Sequence, residues 1–205
     1  MSGWLLALAA PLWLGAVIFL RAFRIWLLYY LVAVVGGAYT LVLLSHQLLG
    51  LDLLLSQATV WWVDHIAVWF GVPTRTFDRA PGVLMVMIVA QDIGWTLLQV
   101  GVESSGTLEI CVLTSLLLFY PGWSAPQRVR ALLLGLAATW AANVLRLLLI
   151  ALMLHYLGKG ALVLAHTFVG KAVFFLLTIA IYAWLVTFPT VRALAPGADS
   201  SAPIR

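Results

Sequence analysis

Val102-Glu103-Ser104-Ser105-Gly106 leads directly into the apolar run Thr107–Tyr120, which is interrupted only by the carboxylate of Glu109 and a few small polar residues. The run lacks strict alternation, so it reads as a helix rather than a barrel strand. It is short for a bilayer, which needs about 20 residues. Its helix therefore either begins near Ser104 or opens at its top into a water-filled depression. On this reading Ser104 stands at the outer mouth of a membrane-embedded, protease-like site.

The composition supports a membrane setting. Of 205 residues, 64% are hydrophobic and 9% charged, against roughly 25% charged in ordinary soluble domains. Mean hydropathy is +1.10. The fold class expected is an all-α integral membrane protein, residues 1–205 forming one membrane domain. The net charge of +4 does not point to nucleic acid, because the basic residues are scattered at membrane edges and read as topology determinants. Cys111, the single cysteine, excludes an internal disulfide. The four histidines fall at unrelated spacings, so neither a metal centre nor a cofactor is expected.

Outward from the central stretch, the chain divides into apolar segments. Trp4–Leu20 carries Pro11 and precedes Arg21 and Arg24; without a basic n-region it reads as a retained membrane helix, not a secretory signal. Ile25–Leu49 is a second span, with Gly36-Gly37 permitting close helix contact and His46, read as structural, near its end. Leu51–Val72 is apolar at helical spacing but carries Asp52, Asp64 and His65 together with Trp61, Trp62 and Trp69. An amphipathic helix lying on the membrane surface fits that mixture. Residues 73–81 read as loop. Gly82–Val102 reads as a hairpin turning at Gln91-Asp92-Ile93-Gly94. Together, residues 50–103 form an extracytoplasmic insertion between the second span and the helix bearing Ser104. Val129–Tyr156 and Leu162–Phe188 are the remaining spans, and 189–205 reads as a disordered cytoplasmic tail.

Five spans put Arg21, Arg24, Arg128, Arg130, Arg192 and Arg205 on the cytoplasmic side. A seven-span alternative, in which Leu51–Val72 and Val83–Val102 also cross, leaves Ser104 outside as well. Arg146 then lies in the outer half of its span, with Asn143 three residues earlier on the same face. His166 lies near the outer end of the last span, and Lys171 about 7 Å deeper. Ser104, Arg146 and His166 converge on one depth. A serine needs a base to become a nucleophile, and His166 is the natural one. Arg146 can stabilise the oxyanion of acyl transfer, and Asn143 can orient a partner. Structural alternatives remain open: Arg146 and Asn143 capping carbonyls or pairing with Glu109, Lys171 snorkelling outward, Cys111 packing as a protonated thiol.

The order V-E-S-S-G, then A-N-V-L-R from Ala142 to Arg146, then Ala165-His166 followed by Gly170 resembles the exosortase/archaeosortase family over about residues 82–188. The resemblance implies a multi-span transpeptidase of the extracytoplasmic face of the cell membrane. It implies partners that are exported proteins with C-terminal sorting signals: a short motif, a membrane helix and a basic cluster. Residue by residue it carries over to Ser104, Arg146 and His166 as catalytic, with Asn143, Glu103 and Ser105 as supporting groups. The chain departs from the family at Ser104, where the family has its nucleophilic cysteine. Three readings stay open: a working serine nucleophile, an inactive relative that binds sorting signals as a binding or assembly factor, or a different register in which Cys111 acts. A rhomboid-like serine protease is disfavoured by the missing Gly-x-Ser-x-Gly around Ser104 and by the intramembrane Arg146. A transporter is disfavoured by the lack of an internal repeat.

Overall fold

The computed structural model describes residues 3–80, 83–91 and 94–194. Most of these residues are helical. Trp26–Gln47, Ala125–Leu157 and Lys159–Val191 are long and apolar enough to cross a membrane. The helices are α1 (Gly3–Ala22), α2 (Trp26–Leu44), α3 (Leu51–Trp69), α4 (Thr107–Leu118), α5 (Ala125–Leu157), α6 (Gly170–Tyr182) and α7 (Phe188–Leu194). Between α3 and α4 lie β1 (Thr74–Ala80), β2 (Val83–Ala90) and β3 (Trp95–Val100), an antiparallel sheet in the order β1-β2-β3.

The helix α5 is the mast of the molecule. Its 33 residues give a length of about 50 Å. Ser124 and Gln127 start it with a reciprocal capping box, with proline in the first turn, which satisfies donors that the helix cannot. Its lower part packs against α4, where Gly135 meets Leu113 and Leu117. Arg128 Nη2 donates to the carbonyls of Tyr120 and Trp123 at 3.2 and 3.5 Å, tying the α4–α5 turn. Antiparallel to α4 on its other side is α2: Tyr30 bonds to Leu116 O and Ser115 to Val34 O. Around Gly36 and Gly37 the helices touch so closely that an added Cβ would meet Trp13 at 2.0 Å or Phe119 at 2.5 Å.

The upper part of α5 carries a second storey. Trp62 stands beside Trp140, and Tyr156 donates to Phe70 O, so α3 runs parallel to α5. One core joins Val60, Val63 and Ala67 of α3, Met85, Met87, Val89, Leu98 and Val100 of the sheet, and Leu147, Ile150, Ala151 and Leu154 of α5.

Two expectations change here. The segment 73–81, read as loop, is largely strand: Thr74–Ala80 pairs with β2, and its Thr and Phe suit a pleated surface despite the charges between them. α3 is amphipathic, and its polar face is turned to the protein. Its polar residues Asp52, Ser56 and Thr59 are buried, while Leu54, Trp61, Trp62, Val68 and Trp69 are exposed. An apolar outer face with a polar inner face suits lipid outside and protein inside. The tail is helical through Leu194, and 195–205 lie outside the described residues. So does Asp92 of the hairpin turn.

Candidate functional site

The site is assembled where α4 begins, against the middle of α5. Gly101 is extended (φ −92°, ψ −175°) and feeds a single 3-10 turn, Val102–Ser104. Gly106 then takes φ +78°, a left-handed conformation that an L side chain enters at a cost. Thr107 opens α4. Thus Ser104 sits on the turn above the helix rather than in it. Ser105 organises this corner: its hydroxyl donates to Val102 O at 2.7 Å, contacts Thr107 Oγ1 at 2.8 Å and accepts from Thr107 N–H at 3.1 Å. That is a helix-capping role.

From α5, Asn143 Nδ2 donates to Ser104 O at 3.1 Å. An added Cβ on Gly106 would meet the same Nδ2 at 3.1 Å, so the glycine is required both for its φ and for this approach. Arg146, three residues on, shares the face of Asn143. It is 4% exposed, and its guanidinium carbon lies 5.3 Å from the centroid of the Phe174 ring. Among the described residues no carboxylate lies within 4 Å of its nitrogens, and its Nε has no hydrogen-bond partner. The charges of Glu109 and Glu103 reach it only at longer range. A buried cation without a partner costs several kcal/mol, which an anion in contact with it would offset.

Arg146 faces a cavity of about 380 Å³ lined also by Glu103, Glu109, His166, Lys171 and Phe174. His166 and Lys171 reach the same wall because residues 164–169 form a π-helical turn, whose wider i→i+5 spacing brings residues five apart together. The cavity continues downward as a furrow lined by Leu113, Leu116 and Tyr182 between α4 and α6, two helices that both pack on α5. Two further polar atoms, Glu109 Oε2 and Asn143 Oδ1, are buried without a hydrogen-bond partner.

The structure thus brings Arg146, His166 and Glu103 to one cavity, and Asn143 to the backbone of Ser104. The Ser104 side chain is 4% exposed, is not part of the cavity wall, and makes no hydrogen bond with His166 among the described residues. Cys111 is buried with Ser45 Oγ 3.4 Å from its sulfur, away from the cavity. His46 pairs with the buried Asp52 at 2.8 Å, also apart from it. Lys171, read as snorkelling outward, is exposed and also reaches the cavity wall; the π turn before it has no sequence signature. Phe174, four residues after Gly170, also escaped the sequence reading, since an aromatic in an apolar span carries no signal. Among the described residues there is no group of three or more metal-ligating side chains. No protein-family model matches the chain, nor does any curated protein or any solved structure.

Proposed function

We propose that the chain is a membrane-embedded peptidase or transpeptidase of the exosortase type, acting on C-terminal sorting signals of exported proteins at the extracytoplasmic face. The observation that carries this reading is Arg146: buried, without an ion-pair partner among the described residues, and facing one cavity with His166. Such a guanidinium suits an oxyanion that exists only during reaction. In this mechanism the Ser104 hydroxyl attacks the scissile carbonyl and its proton passes to His166. The tetrahedral oxyanion is held by Arg146. The C–N bond then breaks, the leaving amine takes the proton from His166, and water or an acceptor amine resolves the acyl-serine. Asn143 holds the Ser104 backbone, and Glu103 balances the imidazolium. Turning the Ser104 hydroxyl toward the cavity is part of substrate binding on this reading.

A second reading is favoured by the position of that hydroxyl, off the cavity wall: a relative that binds sorting signals without cleaving them. Comparison of C-terminal tails of exported membrane proteins, by mass spectrometry, in cells carrying wild type, Ser104→Ala, Ser104→Cys, Arg146→Ala and Cys111→Ala separates the two. Tails trimmed by wild type and Cys111→Ala but intact with Ser104→Ala and Arg146→Ala are expected. Trimming only by Ser104→Cys favours the binding relative. Identical tails in all five strains reject the peptidase.

A further inference from the structure

The sheet offers the cavity a way to hold its substrate. Ala90 N–H bonds to Pro73 O at 3.1 Å, so the even residues of β2 turn their peptide groups to β1 and the odd ones to β3. The register pairs Met85 with Val100, Met87 with Leu98 and Val89 with Thr96. On β3, therefore, Thr96, Leu98 and Val100 are bonded to β2, and the peptide groups of Trp95, Leu97 and Gln99 point away from the sheet. β3 ends the sheet, and these groups have no hydrogen-bond partner among the described residues. The same three residues are exposed while their neighbours are buried. This is an open strand edge.

Its placement gives it meaning. The other side of the sheet lies on α3, where Thr74 bonds to Asp64, so the open edge faces away from α3. At its upper end Lys159 Nζ lies 5.8 Å from the Trp95 ring, and Gln91 bonds to Leu154 O. At its lower end Val100 is followed by Gly101 and then Glu103, which lines the cavity. The edge thus descends along α5 from Leu154 toward Asn143 and runs out at the cavity that holds Arg146 and His166.

We infer that β3 is the docking strand for the substrate: an extended polypeptide segment adds to its open edge as a fourth strand, pairing with Trp95, Leu97 and Gln99, and is delivered end-on to the Arg146–His166 cavity. Main-chain pairing gives such docking its strength and alternate side chains its selectivity. The occupant is an extended peptide and not a helix, because three outward peptide groups at two-residue spacing match only a strand. A substrate anchored by a C-terminal membrane helix runs parallel to β3, descending with it. This inference rests on the proposed peptidase reading for what happens in the cavity, but not for the docking itself.

The test uses the full chain in lipid nanodiscs and a synthetic hexapeptide of alternating threonine and valine with a central photoreactive benzoylphenylalanine. A twin peptide carries N-methyl groups on the three amides of one edge, and a third on the other edge. Labelling mapped by mass spectrometry to residues 95–104 is expected, reduced about tenfold by N-methylation of one edge only, the loss of up to three hydrogen bonds. Leu97→Pro removes an outward N–H and leaves the β2 ladder whole, a change tolerated at strand edges; it is expected to match N-methylation, while Leu97→Ala keeps labelling. Labelling elsewhere, indifference to both N-methylations, or none overturns the docking strand. Labelling without trimmed tails in cells rejects the peptidase alone; trimmed tails without edge labelling reject the docking strand alone.

Discussion

Arg146 separates function from stability at a single residue. Arg146 is buried on a phenylalanine ring with no ion pair among the described residues, so Arg146→Met is expected to raise resistance to unfolding in detergent, by up to about 1–4 kcal/mol. The same change is expected to lower processing by about 10²–10³-fold, the scale of losing one oxyanion donor. A thermal unfolding curve beside a processing assay checks both, and a variant that loses stability and activity together would assign Arg146 a structural part. Gly106→Ala is the converse. Its φ of +78° and the contact with Asn143 predict destabilisation of about 1–2 kcal/mol, with loss of processing as the Ser104 carbonyl moves. At this scale the sequence was readable where an α-helix fixes the geometry. Asn143 and Arg146 share a face because they are three apart. That Lys171 also reaches the wall of the cavity was not legible, because residue types do not announce the π turn that precedes it.

Among the elements, the contacts at Gly37 and Gly170 set how closely neighbours lie. A Cβ on Gly37 would meet Phe119 at 2.5 Å and Ser115 Oγ at 2.6 Å; one on Gly170 would meet Ile150 at 2.7 Å. Gly37→Val is expected to cost about 1–3 kcal/mol by overpacking and to loosen α2 from α4 without touching the cavity. Gly170→Val displaces α6 from α5 and with it Phe174 and Lys171. Unfolding midpoints for both, with processing measured at a temperature where each stays folded, check the difference: processing is retained by the first and lost by the second. The pattern of residues disclosed α3 as a helix but not which face meets solvent, since periodicity is blind to what lies outside. The helix buries Asp52 and exposes three tryptophans, the reverse of a helix on a water-soluble protein. β1 was hidden for a related reason: a stretch carrying Arg75, Asp78 and Arg79 looks like loop until a partner strand is known.

For the whole molecule, the single cysteine is useful. Cys111→Ala in the buried pocket with Ser45 gives a cysteine-free chain, into which Ser124→Cys and Lys159→Cys can be placed at opposite ends of α5. A membrane-impermeant maleimide added to intact cells is expected to label the second and not the first; the reverse result would turn the site toward the cytoplasm. The depth argument from sequence brought Arg146 and His166 to one level because rise along a helix is fixed. It placed Ser104 on that level too, but not which way its hydroxyl points, because a 3-10 turn and a left-handed glycine decide that.

The polar inner face of α3 also bears on how the chain is made. Asp52, Ser56 and Thr59 are buried in the finished protein and α3 shares a core with α5, yet α5 is synthesised only after α3, the whole sheet and α4 have emerged. A helix with an aspartate and several hydroxyls is a poor substrate for insertion by itself. We expect α3 to stay at the lipid headgroups, held by its tryptophans, until α5 arrives to receive its polar side. A chain cut after α4 is then expected to leave Ser56→Cys open to a water-soluble maleimide, and the full chain to protect it.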